Sequence, residues 1–241
     1  MVSAHTFMLR CVPHPSAFQK TVRHTTSVIP ACEIATSLDT FGNIVQTGYV
    51  ASQHDSFMFE STGVVEVGEH VTEEPPNRVF CYPSDLTQPD AAIREIAAAV
   101  GNPAGSAGKW VRDMSSLLQT RFAYESGQTS VTTTAAEALA MGRGVCQDFA
   151  HIVIAAGREA GIPMRYVTGF MIGEGATHAW VEYHDGDAWH AFDPTNDKAV
   201  DDSYIKIAHG RDFNDCSMNR GHFCGSTQQT IKVTLLVEKD N

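Results

Sequence analysis

A single run of helix-forming residues, from Cys146 to Pro163, constrains the fold of this chain more than any other stretch. Its sequence is CQDFAHIVIAAGREAGIP, and Gly161 and Pro163 at its end are typical helix terminators. One face carries an apolar stripe made of Phe149, Ile152, Val153, Ala156 and Ala160. Such a stripe predicts a central, buried helix around which the other elements pack.

The segments before and after this helix differ in kind. Helical spacing of apolar residues predicts three earlier helices, in PDAAIREIAAAV, AGKWVRDMSSLLQTRFAY and TTTAAEALAMGRG. Three strand-like runs follow the helix, MRYVTGFMI, HAWVEYH and DAWHAFD, and the alternation in QQTIKVTLLVEK predicts a closing strand. Helices followed by a sheet predict an α+β domain rather than alternating βαβ units.

The N-terminal part of the chain has a different pattern. Short β-rich runs separated by turn residues, HTFMLRCV, TTSVIPA, GNIVQTGYVA and DSFMFESTGVVEV, predict a small antiparallel β module. Residues 68–90 are rich in proline, acidic and polar residues, and they are interpreted as a connection. We therefore predict two domains, a β-rich one over residues 1–83 and a helix-and-sheet one over residues 84–241.

Composition excludes several classes of partner. The 241 residues include 28 acidic and 17 basic side chains, and the formal net charge of −11 disfavours binding to nucleic acid or anionic lipid. No stretch approaches the roughly 18 consecutive apolar residues of a membrane span, and the start MVSAHTFMLRC does not resemble a signal peptide. We expect a cytoplasmic protein that binds neither nucleic acid nor membrane.

The cysteines do not form a metal or disulfide framework. Six are scattered along the chain without CxxC pairs, so most are expected to be buried thiols. Cys216 and Cys224 lie eight residues apart and could pair in an oxidising compartment, which spacing alone leaves open.

Cys146 is the cysteine whose position in the sequence favours a role as a catalytic nucleophile. It follows Gly142 and Gly144 and precedes the first turn of the predicted helix. A helix N-terminus stabilises a thiolate, and its unpaired N–H groups point toward the place where an oxyanion would form. A lone cysteine before a helix is nevertheless more often a packing residue, so position alone leaves both interpretations open.

The hairpin HAWVEYHDGDAWHAFDP supplies two further candidates. It contains Asp185-Gly186, the dipeptide favoured by two-residue type I′ turns, and such a turn would place His178 directly opposite Asp193. With a four-residue loop, His178 and Asp193 would be diagonal neighbours on the same face of the sheet. A loop with an odd number of residues would place the two side chains on opposite faces. Trp180 shares this face, on which we expect the Cys146 helix. The opposite face, predicted to be core, carries Ala179, Val181, Tyr183, Ala188 and Phe192.

Together, these three residues have the pattern of a nucleophile, a base and an orienting carboxylate. Each has an ordinary alternative role: His178 as a strand histidine, and Asp193 as the turn residue before Pro194. The residues alone leave a catalytic and a structural interpretation open.

Several motifs carry a resemblance to a known family. GRGVCQDFAHIVIAAGREAGIPMRYVTGF, THAWVEYHDGDAWHAFDPTND and FAYESGQTSVTTTAAEAL resemble the bacterial transglutaminase-like proteins of the papain-like cysteine protease fold. LDTFGNIVQTGYV resembles the N-terminal region of the same proteins. The resemblance implies that Cys146 is the nucleophile, that His178 is the general base and acid, and that Asp193 fixes the imidazole. It also implies a nucleophile at the start of a central helix packed on an antiparallel sheet.

The oxyanion hole is less defined. It needs a donor besides the Cys146 N–H, and Tyr124, Gln147 and Trp110 can each donate. Tyr124 is preferred because it lies in a stretch that resembles the family, although it could equally anchor a helix end.

The resemblance implies acyl transfer at an amide bond of a peptide or protein substrate. With water as the acceptor the protein is a peptidase or amidase, which we favour, and with a lysine-like amine it is a transglutaminase. A non-catalytic scaffold that binds a partner through the β module is the alternative from another class.

No metal or other cofactor is expected. In DPTNDKAVDDS the sixth residue from Asp193 is Lys198, where a calcium-binding EF-hand loop needs glycine. His178, His184 and His190 are six residues apart, a spacing that fits no compact zinc site.

Overall fold

A computed structural model of the protein describes residues 1–103, 105–173, 175–225 and 228–239. The strands are β1 (Ser3–Leu9), β2 (Gln19–Ile29), β3 (Ile34–Leu38), β4 (Ile44–Val50), β5 (Met58–Val67), β6 (Val71–Thr72), β7 (Ala123–Tyr124), β8 (Arg143–Gly144), β9 (Met164–Met171), β10 (His178–His184), β11 (Trp189–Asp193), β12 (Lys198–Ala199), β13 (Tyr204–Gly210) and β14 (Asn219–Cys224). The helices are α1 (Ala91–Val100), α2 (Ala107–Gln119), α3 (Ala135–Met141), α4 (Cys146–Glu159) and α5 (Phe213–Cys216). Two 3₁₀ turns cover Arg78–Cys81 and Asp85–Thr87.

The central helix α4 packs against an antiparallel sheet. The strand order of this sheet is β12-β11-β10-β9-β13, and β6 pairs with β11 beside β12. One apolar core joins side chains of α1 to α4 with Ala179, Val181 and Phe192 of the sheet. Every α4 residue from Gln147 to Arg158 is buried, so the helix is enclosed on all sides rather than along one stripe. The predicted α+β class and the central helix are confirmed.

The N-terminal part forms a separate β layer. The sheet β14-β1-β4-β3 faces the two-stranded ribbon β2-β5, and the four predicted β-rich runs overlap β1, β2, β4 and β5. Apolar residues fill the space between them: Phe7, Leu9, Cys11, Val28 and Val50. We call β1 to β5 with β14 the β unit.

The two sheets exchange strands across the predicted domain boundary. Strand β14, from the C-terminal part of the chain, pairs with β1, whereas β6 precedes residue 83 and pairs with β11 in the helix-covered sheet. The boundary at residue 83 stays a prediction, but neither sheet is built from one side of it alone.

The predicted closing strand in QQTIKVTLLVEK is wrong. Residues 228–239 contain no strand, and the last strand in the described part of the chain is β14, ending at Cys224. An alternating sequence forms a strand only where a neighbouring strand offers backbone partners and a face to cover. Alternation along the chain cannot reveal whether such a partner is present.

A buried ion cluster lies where the β unit meets the sheet. Both carboxylate oxygens of Glu182 accept hydrogen bonds from Lys206 Nζ, at 2.9 and 2.8 Å, and Arg165 also bonds this carboxylate. Burial alone would raise the pKa of Glu182, but the charges of Arg165 and Lys206 lower it to about 2. Burial lowers the pKa of Lys206 to about 8. A buried cluster of this kind is stable only while all its members are paired.

None of the helices in the described parts of the chain has both the length and the apolar character needed to cross a bilayer.

Candidate active site

The start of α4 is shaped by the two glycines before it. Gly142 ends α3 with a φ of +68°, in the left-handed region that favours glycine. A Cβ atom on Gly144 would lie 2.4 Å from Oδ2 of Asp148, so only glycine fits there. That carboxylate oxygen accepts the N–H of Val145 at 2.8 Å and the Thr129 hydroxyl at 2.7 Å. The Gly-Arg-Gly sequence therefore lets Asp148 secure the first turn of α4.

Cys146 is the first residue of α4 and is half-buried at the edge of the main core. The first N–H groups of a helix have no carbonyl partner within the helix. The N–H groups of Asp148 and Phe149 donate to the Val145 carbonyl, so those of Cys146 and Gln147 are the donors left for a developing negative charge.

His178 and Asp193 are in contact, although the predicted turn between them is wrong. The distance from His178 Nε2 to Asp193 Oδ2 is 2.7 Å. Pairing of His184 with Trp189 leaves residues 185–188 as a four-residue loop rather than a two-residue turn. In this register the pair is diagonal, and both side chains keep the same face.

Hydrogen bonds of Asp185 explain the longer loop. Its carboxylate oxygen Oδ1 accepts the N–H groups of Asp187 and Ala188, each at 3.0 Å. Its own N–H donates to the Ala188 carbonyl at 3.1 Å. An aspartate that closes a turn in this way stabilises a wider loop than the type I′ turn that its Asp-Gly dipeptide predicts.

The expected face for α4 is also wrong. The helix shares its core with Ala179 and Val181, whereas Trp180 packs on the other side of the sheet with Val167 and Tyr204. The Cys146 side chain nevertheless lies near His178, because it contributes to the raised pKa of this imidazole. Because each is the first residue of its element, they meet at the end of the sheet rather than across one face.

The environment of His178 favours its charged form. Burial would lower its pKa, but the hydrogen bonds and charges of Asp193 and Cys146 raise the pKa to about 10. Asp193 bonds Nε2, which leaves Nδ1 as the ring nitrogen for the thiol. His178 is therefore an imidazolium at neutral pH, and an imidazolium stabilises a neighbouring thiolate.

Asp193 is fully buried and accepts hydrogen bonds at both oxygens. Oδ1 accepts the backbone N–H groups of Thr195 and Asn196 at 2.9 and 3.2 Å. Oδ2 accepts the Asn196 amide and the Tyr204 hydroxyl, both at 2.7 Å, in addition to His178. Burial would raise the pKa of Asp193, but these bonds, led by that of His178, lower it. The carboxylate therefore stays ionised.

Sequence reasoning missed Asn196 and Tyr204 as site residues. Asn196 could have been found from the local sequence, because an aspartate side chain commonly accepts the N–H groups of the residues two and three positions later and so forms a turn. Tyr204 had none, because it lies on β13 and reaches Asp193 only through the sheet.

The proposed oxyanion-hole donors lie in different surroundings. The Gln147 amide donates to the Val131 carbonyl at 3.3 Å. Tyr124 is more than half exposed, and β7 places it beside Gly144 through parallel pairing with β8. Tyr124 and Gln147 stay predictions. The Trp110 indole instead donates to the Gly101 carbonyl at 2.9 Å, away from the site.

The other histidines and cysteines that the sequence singled out have separate surroundings. His184 bonds the Glu74 carbonyl at 3.1 Å, and His190 bonds Asp185 at 2.8 Å. Cys216 is buried and Cys224 exposed, both as free thiols.

Comparison with known proteins identifies the family. The transglutaminase-like superfamily core matches residues 94–194, and the bacterial transglutaminase-like N-terminal region matches residues 1–66. An uncharacterised protein of Mycobacterium tuberculosis is 31% identical over an alignment of 260 positions, which covers 91% of this chain and 82% of the relative. A Mycobacterium leprae relative, also uncharacterised, is 28% identical, with 95% and 90% coverage. The chain belongs to the bacterial transglutaminase-like proteins, and this membership supports a cysteine-dependent enzyme activity.

A solved structure supports the fold. The protein from Cytophaga hutchinsonii, described as a candidate cysteine protease, has a TM-score of 0.75 and 24% identity to this chain. The match covers 99% of this chain and 90% of the other. The likeness therefore extends over the β unit as well as the helix-covered sheet.

Proposed function

We propose that this protein catalyses thiol-dependent acyl transfer at amide bonds, with Cys146 as nucleophile, His178 as general acid and base, and Asp193 as the orienting carboxylate. The observation that supports this most directly is the 2.7 Å contact of buried His178 with Asp193, together with the pKa of His178, which Asp193 and Cys146 raise to about 10. A thiol and a carboxylate that both interact with one buried imidazole match the requirements of nucleophilic catalysis.

In the first step, the Cys146 thiolate forms a bond to the carbonyl carbon of the substrate. N–H groups at the start of α4 stabilise the resulting oxyanion, with Tyr124 or Gln147 as the proposed additional donor. The carbon–nitrogen bond then breaks as His178 gives its proton to the leaving amine. The product of this step is a thioester on Cys146 and a neutral imidazole.

In the second step, we propose that water resolves the thioester. Neutral His178 accepts a proton from the attacking water, the carbon–sulfur bond breaks, and the carboxylic acid leaves. The thiolate and the imidazolium are restored. The substrate is therefore a peptide or protein amide, and the overall reaction is hydrolysis.

A peptide library tests the reaction type. The library contains glutamine and lysine residues, and mass spectrometry measures both cleaved and crosslinked products. Cleavage that requires Cys146 supports hydrolysis. Crosslinks formed with loss of ammonia would replace hydrolysis by transamidation. Neither product, together with a Cys146 that iodoacetamide alkylates no faster than a free thiol, would contradict the enzyme proposal and favour a binding scaffold.

A further inference from the structure

Tyr204 donates a hydrogen bond to the oxygen of Asp193 that also contacts His178. The distance from its hydroxyl to Asp193 Oδ2 is 2.7 Å, equal to the distance from that oxygen to His178 Nε2. Tyr204 and His178, together with the Asn196 amide, therefore share the negative charge of one carboxylate oxygen. The hydrogen bond from Tyr204 withdraws negative charge from this oxygen and so weakens the interaction of the same oxygen with His178.

The hydroxyl of Tyr204 is held in a fixed protonation state and orientation. The residue is fully buried, and its ring packs edge-on against Trp180 with 5.4 Å between centroids. The Lys198 ammonium lies 5.0 Å from the ring centroid. Burial and the Asp193 charge raise the pKa of Tyr204, so the hydroxyl remains a donor over the whole working range of pH.

The β unit supports the strand that carries Tyr204. Strand β13 is the last in its sheet, and its outer edge bonds to side-chain amides of the β unit and to the His14 N–H rather than to another strand. Gln19 accepts the Lys206 N–H and donates to the Lys206 carbonyl, both at 2.8 Å. Asn43 does the same for His209, at 2.9 and 2.8 Å. Each amide thus replaces one residue of a neighbouring strand.

We propose that Tyr204 is a positioning residue that acts through Asp193: it sets how strongly the carboxylate holds the His178 proton, and the β unit fixes Tyr204 in place through β13. This inference rests on the proposed acyl-transfer function. It gives the β unit a role in building the site.

Tyr204→Phe tests the proposal because it removes the donor and keeps the ring. With one donor fewer, Asp193 Oδ2 carries more charge toward His178, so the pH midpoint of the His178 ring resonances, followed by NMR, should move upward. Peptide turnover should fall about tenfold, because a more basic imidazolium transfers its proton to the amine less readily and is less well oriented. Tyr183→Phe is the matched control, since this buried tyrosine of β10 lies on the α4 side of the sheet.

Site-specific 3-fluorotyrosine at position 204 provides a second measurement if the Phe variant folds poorly. A fluorinated phenol is a stronger donor of the same shape, so the His178 midpoint should move downward. A His178 midpoint that is unchanged in these Tyr204 variants would overturn the proposal, even if turnover fell.

Alkylation of Cys146 separates this inference from the proposed function. If the pH midpoint of His178 moves but Cys146 is inert toward iodoacetamide, the acyl-transfer proposal is contradicted and the effect of Tyr204 on Asp193 is supported. If Cys146 is reactive and peptides are turned over but the midpoint does not move, only the Tyr204 proposal fails.

Discussion

At the scale of single residues, the thiol of Cys146 is the group that the proposed reaction cannot lose. Cys146→Ala should abolish turnover while leaving the fold intact, because a thiol-to-hydrogen change at a half-buried site removes little volume. The measurements are product formation and the denaturant midpoint. Cys81→Ala, at another half-buried cysteine, should keep full activity and serves as the control. Turnover by Cys146→Ala above a few per cent of the wild-type value would contradict the assignment.

Asp193→Asn should have a smaller effect than its counterpart in a serine triad. An amide at position 193 would keep its oxygen toward the backbone N–H groups and turn its NH₂ toward His178, which then loses its charged partner. We expect the pKa of His178 to fall from about 10 toward its ordinary value, and alkylation of Cys146 at pH about 6 to slow. Turnover should fall by less than about 10⁴-fold, because the imidazolium already exists before the attack.

The matched control for this change lies in the same hairpin. Asp185 bonds His190 at 2.8 Å in a second His–Asp pair, which is about one-third exposed. Asp185→Asn should leave the pH dependence of alkylation at Cys146 unchanged. Coinciding alkylation profiles of wild type and Asp193→Asn would show that His178 does not activate the thiol.

At the scale of elements, the edge of β13 is where the β unit affects the site. Gln19→Leu leaves the buried Lys206 N–H without its acceptor, which should lower the free energy of unfolding by about 1–3 kcal/mol. If β13 carries this support to Tyr204, the pH midpoint of the His178 ring resonances should also move upward, as in Tyr204→Phe. The measurements are urea unfolding and NMR of His178.

Gln46→Leu distinguishes a specific effect at the edge of β13 from general destabilisation of the β unit. Gln46 accepts a hydrogen bond from Thr26 at 2.9 Å within the β unit, away from β13. This change should destabilise the protein but leave the pH midpoint of His178 unaffected. Equal His178 midpoints in the Gln19 and Gln46 variants would argue against support through β13.

At the scale of the whole molecule, buried histidines should determine stability in acid. Burial lowers the pKa of His14 to about 3 and of His151 to about 4, and it also lowers the pKa values of His70 and His209. Each folded-state value lies below the unfolded value of about 6.5, so the unfolded chain binds more protons. Their stabilisation is present above about pH 6.5 and is lost as the pH falls toward the folded-state values.

His178 contributes with the opposite sign. Its folded pKa of about 10 exceeds the unfolded value, so its contribution is complete below about pH 6.5 and is lost as the pH rises through 10. Urea unfolding from pH 4 to 10 should therefore show highest stability near neutrality. His209→Leu should reduce the acid-side slope by about 1.4 kcal/mol per pH unit, whereas His222→Gln, at an exposed position, should not. An unchanged slope in His209→Leu would contradict this account.

Features that depend on local geometry can be predicted from the order of the residues alone. The apolar stripe and flanking glycines define α4 and put Cys146 at its first turn, because helix periodicity and chain reversal are properties of neighbouring residues. His178 and Asp193 share a face for a similar reason. Side chains alternate along a strand, so any loop with an even number of residues preserves that relation.

Which distant residues complete the site depends on how the whole chain folds. The face covered by α4 depended on packing of the whole core. Tyr204 reaches Asp193, and β14 joins β1, because separate parts of the chain lie side by side in the fold. Such contacts depend on backbone partners and shape that become available only when the sheets assemble, so no spacing along the chain encodes them.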